Sequence, residues 1–199
     1  PRRSCAGGGV IVISPFFLLF WYKTKSKGGS RMQSNRWTNW VTTLDDRTCV
    51  PCKALHGKIY PRHGPFIPKP PVHLFCRCSI CWMQAVAAGT ATRLGKRGAD
   101  WYLKHCGRLP YFYIDRHRVL QGGWIPQLGN FQQRFPENML AGGIYKNRDQ
   151  HLPERPGRIW QEADLEYDGR SRGGKRIVFS NDGLIFVTYD HYNTFVEVV

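Results

Sequence analysis

The clearest hydrophobic–polar patterning lies in the second half of the chain. Ala99 to His105 places Trp101 and Leu103 among charged residues and stops at Gly107 and Pro110, which predicts a helix. Asp115 is suited to cap a second helix running toward Leu120, closed by Gly122-Gly123. In Ile159 to Tyr167 the odd positions Ile159, Ala163, Leu165 and Tyr167 are apolar, Gln161 excepted. The even positions place Trp160, Glu162, Asp164 and Glu166 on the other face of a strand. Lys175–Phe179, Leu184–Tyr189 and Thr194–Val198 follow, separated by the turn signals Asn181-Asp182-Gly183 and Asp190–Asn193. Such short connections require antiparallel neighbours. The expected fold of residues 99–199 is α+β, with N-terminal helices packed on a twisted antiparallel β-sheet and a small Cys-rich segment before it.

Upstream the pattern changes twice. Residues 1–36 join an apolar run, Val10 to Tyr22, to a Lys/Gly/Ser stretch and read as a leader or linker. The run is shorter than the roughly 20 residues that span a bilayer, so no stable membrane insertion is expected. Arg2 and Arg3 suit a signal peptide, but no small-x-small cleavage pattern follows. Residues 37–83 are rich in Cys, Pro and His and need a metal, disulfides or a partner to hold a fold. Residues 84–98 are small and basic and read as a linker.

Composition and charge narrow the function. With 42% hydrophobic and 14% aromatic residues the chain is too apolar to be disordered. Its net charge of +15 points to polyanionic or acidic partners and is concentrated upstream, at +11 over residues 1–88 against +4 over 89–199.

A strand carrying Glu162 and Asp164, arginines 172 and 176 across a Gly-rich turn, and His191 in the last hairpin turn would meet on one face of an antiparallel sheet. A carboxylate, a histidine and several arginines satisfy metal-free phosphodiester cleavage: one group takes a hydroxyl proton, one protonates the leaving oxygen, and cations stabilise phosphorane charge. Each residue alone is more often a solvated surface group, and even together they leave a phosphate-binding protein open.

From Asp100 onward the chain resembles the barnase-like family of small secreted bacterial ribonucleases. The resemblance rests on LP-x-x-YI (Leu109 to Ile114), GGW (Gly122 to Trp124), and Gly129-Asn130. It continues through NRD-x-x-LP (Asn147 to Pro153), PGR-x-WQEADL-x-Y (Pro156 to Tyr167) and TYDHYNTF (Thr188 to Phe195). It implies that Glu162 is the general base acting on the ribose 2′-OH and His191 the general acid that protonates the departing 5′ oxygen. The product implied is a 2′,3′-cyclic phosphate, formed without a catalytic cofactor. Arg172 and Arg176 align with phosphate-binding arginines, Asp164 with the residue that holds them, and Tyr192 with a substrate-contacting tyrosine. Arg116 stands where the family has a catalytic lysine. Asn147, Arg148 and Asp149 match a guanine-binding loop in which Asp149 replaces Glu, Lys146 a small polar residue and, nearby, Gly143 an acidic one. Guanyl preference is therefore expected to be weakened or altered.

Cys49-x-x-Cys52 and Cys76-x-Cys78, with His73 just before, have spacings compatible with a structural zinc, and equally with local disulfides if the protein is secreted. Residues 40–78 resemble the end of phage head-morphogenesis, or minor head, proteins. The two resemblances together imply a ribonuclease toxin, secreted or delivered into target cells by phage or secretion-system components. RNA would be its substrate, and an acidic, barstar-like inhibitor its partner. The contrasting reading is a nucleic-acid or virion binding module with a degenerate nuclease domain.

Overall fold

The computed structural model describes residues 32–63, 69–166 and 172–199. The apolar run Val10–Tyr22, the Lys/Gly/Ser stretch and Tyr167 lie outside the described residues. Nine strands form one sheet: β1 (Met32–Thr42), β2 (Ile59–Pro61), β3 (Cys78–Val86), β4 (Tyr113–Asp115), β5 (Met139–Ile144), β6 (Trp160–Asp164), β7 (Arg176–Ser180), β8 (Ile185–Thr188) and β9 (Val196–Val198). Their order across the sheet is β2-β1-β3-β9-β8-β7-β6-β5-β4. Among the described residues four α-helices accompany them: α1 (Val50–Leu55), α2 (Ala99–Cys106), α3 (Arg116–Gln121) and α4 (Phe131–Arg134).

The helix signals act as expected. Asp115 caps α3 by accepting from the Arg118 amide at 3.0 Å, a contribution of about 1 kcal/mol. Gly107 ends α2 in the left-handed conformation at φ 67°. Strands β6 to β9 are consecutive antiparallel neighbours.

The Cys-rich segment is not a separate preface to the sheet. β1, β2 and β3 extend it, because β9 pairs with β8 on one side and, in parallel, with β3 on the other. A second parallel pair joins β4 to β5, so the sheet is mixed rather than wholly antiparallel. A boundary at residue 36 falls inside β1, and residues 84–98 are structural rather than a linker. Gln84 to Val86 complete β3, Ala88 donates to Val199 O at 2.9 Å, and the amides of Gly89 and Ala91 donate to the buried carboxylate of Asp100 at 2.7 and 2.9 Å. A buried carboxylate without such donors would be costly, which ties this stretch to α2.

Both sheet faces are covered. On one, Ala163, Leu165, Ile177 and Val187 pack with Ala99 and Leu103 of α2. On the other, Trp160, Val178 and Phe186 pack with Ile59 and Met83 from the upstream strands and with Leu152. Trp160 thus lies on the carboxylate-bearing face and is still buried, because the upstream strands cover that end. Glu197, fully buried on β9, accepts from Ser34 Oγ and from Arg36, whose Nε lies 2.7 Å away.

Candidate active site

Register places the site residues. Asp164 is opposite Arg176, Glu162 opposite Val178, and Arg176 opposite Thr188. Directly opposed residues share a face, so Glu162, Asp164 and Arg176 form a polar zone beyond Trp160 and Phe186.

Asp164 has no exposed surface and engages two arginines. Arg172 reaches it in bidentate geometry, Nε to Oδ2 at 2.6 Å and Nη2 to Oδ1 at 2.7 Å, and Arg176 Nε lies 3.1 Å from Oδ1. Arg176 is itself buried and donates Nη1 to the carbonyls of Gly173 and Lys175 at 3.0 and 2.8 Å. The planar guanidinium fork suits this multiple anchoring. Arg116, at the start of α3, joins the same zone through Trp124. Its guanidinium carbon lies 5.2 Å from the indole centroid, and that of Arg172 lies 5.5 Å away. One buried tryptophan thus positions two cations.

Glu162 sits beside a tyrosine from the last turn. Tyr192 donates its hydroxyl to Glu162 Oε2 at 2.5 Å, stacks on Tyr145 with centroids 5.1 Å apart, and lies 4.9 Å from the His191 ring. Burial, reinforced by the Glu162 carboxylate, pushes the Tyr192 phenol well above its ordinary range. Burial and the carboxylates of Asp149 and Glu162 push Tyr145 to about 12. Both phenols therefore remain hydrogen-bond donors at neutral pH.

The turn that presents His191 is strained. His191 and Tyr192 both adopt left-handed backbone, at φ 55° and 69°, where a non-glycine residue costs on the order of 1 kcal/mol or more. Asp190 holds the turn by accepting from the Thr194 amide at 2.9 Å. Thr188 Oγ1 accepts from the Tyr192 amide at 2.9 Å, and Gly174 O accepts from the His191 amide at 3.2 Å. The exposed His191 ring is thus fixed from its backbone.

In the loop after β5, Asn147 is buried and its side chain is spent on the loop. Nδ2 donates to Leu152 O at 2.8 Å, Oδ1 accepts from the Leu152 amide at 3.0 Å, and Glu154 takes a further short contact. Lys146, Arg148 and Asp149 are exposed. His151 connects this loop to the His191 turn, with Nδ1 3.2 Å from Tyr192 O.

Three contributors were not singled out from the sequence: Tyr145, Trp124 and Gly142. A Cβ at Gly142 would stand 2.9 Å from Glu162 Cγ. Gly143 follows at φ 103°, where the β5–β6 register shifts. Two adjacent glycines inside a strand were the available signal for a bulge and a close approach.

Residues 104–199 match the model of the ribonuclease family. A ribonuclease of Heyndrickxia coagulans is 38% identical over 101 residues, which cover 51% of this chain and 93% of that protein. The chain belongs to the ribonuclease family. Ribonucleases of Bacillus intermedius and Bacillus pumilus are likewise 38% identical over 101 residues, and the chain spans 62% of the length of each. Residues 23–81 match the Phage Mu protein F like family. Among solved structures, ribonuclease Sa2 with guanosine-2′-cyclophosphate aligns at 20% identity and a TM-score of 0.28, over 44% of this chain and 94% of that one. Among the described residues of this ribonuclease, no helix is long and apolar enough to cross a membrane.

Proposed function

We propose that the chain is a metal-independent endoribonuclease that cleaves single-stranded RNA by transphosphorylation. Glu162 removes the proton from the ribose 2′-OH, and that oxygen attacks the adjacent phosphorus. His191 protonates the departing 5′ oxygen, leaving a 2′,3′-cyclic phosphate and a free 5′-OH. The cyclic product is hydrolysed with the two roles exchanged. Arg172, Arg176 and Arg116 stabilise the equatorial charge of the phosphorane, and Asp164 keeps the first two in position. The requirement for a 2′-OH excludes DNA as a substrate.

The observation that carries this reading is the linkage of Glu162 to the His191 turn through the Tyr192 hydroxyl. A side chain that merely faced solvent would not share so confined a site. The decisive experiment is cleavage of RNA by the purified full chain with Glu162→Gln and His191→Ala. Each is expected to lower kcat by at least about a thousandfold while RNA binding persists, and EDTA is expected to leave cleavage intact. Cleavage that survives both substitutions overturns the mechanism.

Base preference is assigned to the loop of Asn147, Arg148 and Asp149, shortened by one methylene at Asp149 and altered in charge at Lys146. Initial cleavage rates of GpN and ApN dinucleotides measure it: a modest excess for GpN is expected, and equal rates remove the guanine assignment. The match of residues 23–81 to a phage-type protein supports a toxin role, with the upstream part serving delivery by phage or secretion-system components and an acidic barstar-like protein as inhibitor. Formation of a stable complex with such an inhibitor, weakening as salt rises, is the corresponding test.

A further inference from the structure

Away from the ribonuclease face, thiols and an imidazole converge where α1 meets β3. Cys49 and Cys52 flank the start of α1, His73 and Cys76 lie on the strand-free segment before β3, and Cys78 opens β3. His73 Nε2 lies 3.2 Å from Cys49 Sγ and 3.0 Å from Cys52 Sγ, and Cys52 Sγ lies 3.9 Å from Cys76 Sγ. With Zn–S near 2.3 Å and Zn–N near 2.0 Å, the edges of a tetrahedral site are about 3.8 Å between sulfurs and about 3.5 Å between sulfur and nitrogen. The sulfur–sulfur separation matches its edge and the two sulfur–nitrogen separations are somewhat shorter than theirs; Cys49, Cys52 and His73 form one close group, and Cys52 joins Cys76 and Cys78 in a second. These separations are far longer than a disulfide bond, and all four of these cysteines are free thiols. Cys81, the fifth cysteine of the segment, is disulfide-bonded.

A backbone hydrogen bond orients the histidine. His73 Nδ1 lies 2.7 Å from Leu74 O. A carbonyl oxygen only accepts, so Nδ1 carries the proton and the Nε2 lone pair is directed at the sulfurs, as second partners of metal-bound histidines commonly arrange. Thr42 Oγ1 has one proton, which it donates to Cys52 O at 3.1 Å. Thr42 Oγ1 also lies 3.2 Å from Cys78 Sγ. The adjacent cavity, lined by Thr42, Arg47, Cys49, Cys52, His73 and Arg77, is about 20 Å³, room for a single ion or water.

We propose that Cys49, Cys52 and His73, completed by a thiolate from the adjoining Cys76–Cys78 pair, bind one structural zinc ion. The ion ties α1 to the segment before β3 and so fixes the turn that follows α1. That turn holds the loop after β5: the Ile59 amide donates to His151 O at 2.8 Å, Lys58 Nζ to Gln150 Oε1 at 3.1 Å, and Gly57 packs against the His151 ring. Zinc thus braces the 147–152 loop from outside the ribonuclease part. This inference stands independently of the catalytic roles proposed above.

The full chain, purified under reducing conditions, is tested by native mass spectrometry and metal analysis. One zinc per chain is expected, lost in Cys49→Ser and in the double variant Cys76→Ser/Cys78→Ser, and kept in Cys106→Ser. If the zinc-losing variants fail to fold, the wild-type protein stripped by a zinc-selective chelator supplies the second measurement. Hydrogen exchange in peptides covering Ile59 and 147–152 should quicken by about tenfold or more on stripping, while the α2 peptide is unchanged. Zinc-free protein with four freely reactive thiols, or a mass lowered by two hydrogens through a Cys49–Cys52 disulfide, overturns the site. Zinc retained in Cys76→Ser/Cys78→Ser overturns the ligand assignment, and unchanged loop exchange overturns the brace.

Discussion

The Tyr192 hydroxyl donates to Glu162 Oε2 at 2.5 Å, and the same tyrosine is joined by one peptide bond to His191. The two proposed proton-transfer groups are therefore set relative to each other by a residue that need not exchange a proton itself. Tyr192→Phe removes the hydroxyl and keeps the ring stacked on Tyr145. Stability should change by about 1 kcal/mol, while kcat falls by about tenfold or more and KM moves little. A proportionate rise in KM with kcat unchanged would make Tyr192 a substrate-binding group instead.

Tyr145 gives a prediction at high pH. Its phenol is held neutral to about 12, against about 10 in an unfolded chain. A raised folded-state value contributes stability that is complete below pH of about 10 and is lost as pH rises through about 12. Urea unfolding of Tyr145→Phe across that window should show a shallower alkaline decline than the wild-type protein.

Asp164→Asn keeps the shape of the side chain and removes the charge that two arginines share. Arg176 is left buried without its counter-ion, so a loss of about 3 kcal/mol in urea unfolding is expected. Cleavage should fall at least about a hundredfold even where the protein is fully folded, because Arg172 and Arg176 lose their common anchor. Retention of both stability and rate would show that the arginines are held by other contacts.

Gly142→Ala tests the space beside Glu162. The new Cβ would lie 2.9 Å from Glu162 Cγ, so the carboxylate must move away from Tyr192. The variant should remain folded, with kcat reduced by about ten- to a hundredfold. A crystal structure of the variant showing Glu162 unmoved, together with full activity, would contradict this.

Arg36→Met tests the joint between the two parts of the sheet. Glu197 is fully buried and depends on Arg36 and Ser34 for its donors. Loss of one charged partner should cost about 1–3 kcal/mol, less than for a wholly buried pair because Arg36 is partly exposed. Restoring stability with Glu197→Leu in the same background would locate the cost in the orphaned carboxylate.

Local signals in the sequence carried much of the fold and the candidate site. The expected helix Ala99–His105 is α2 nearly to the residue, Asp115 does cap α3, and the Asn181–Gly183 and Asp190–Asn193 turns do separate β7, β8 and β9. Alternation was enough to group Glu162 with Asp164 on one face. Long-range relations were hidden. The pairing of Ala85 with Glu197 joins positions more than a hundred residues apart and leaves no periodicity, so residues 84–98 read as a linker. Trp160 shares the carboxylate face because Met83 and Ile59, from distant strands, cover it there. The left-handed His191 and Tyr192 carry none of the Gly or Asn chemistry that usually marks such a turn.

The position of β9 between β3 and β8 has a consequence for synthesis. A ribosome emits β3 first and β9 about 110 residues later, an interval of roughly 5–20 s at ordinary elongation rates. Throughout it, the inner edge of β3 has no strand to pair with, and Ser34 and Arg36 await the carboxylate they will bury. Unpaired edges of this kind are sites of misassociation. The nascent upstream part is thus expected to need shielding until its own last strand arrives.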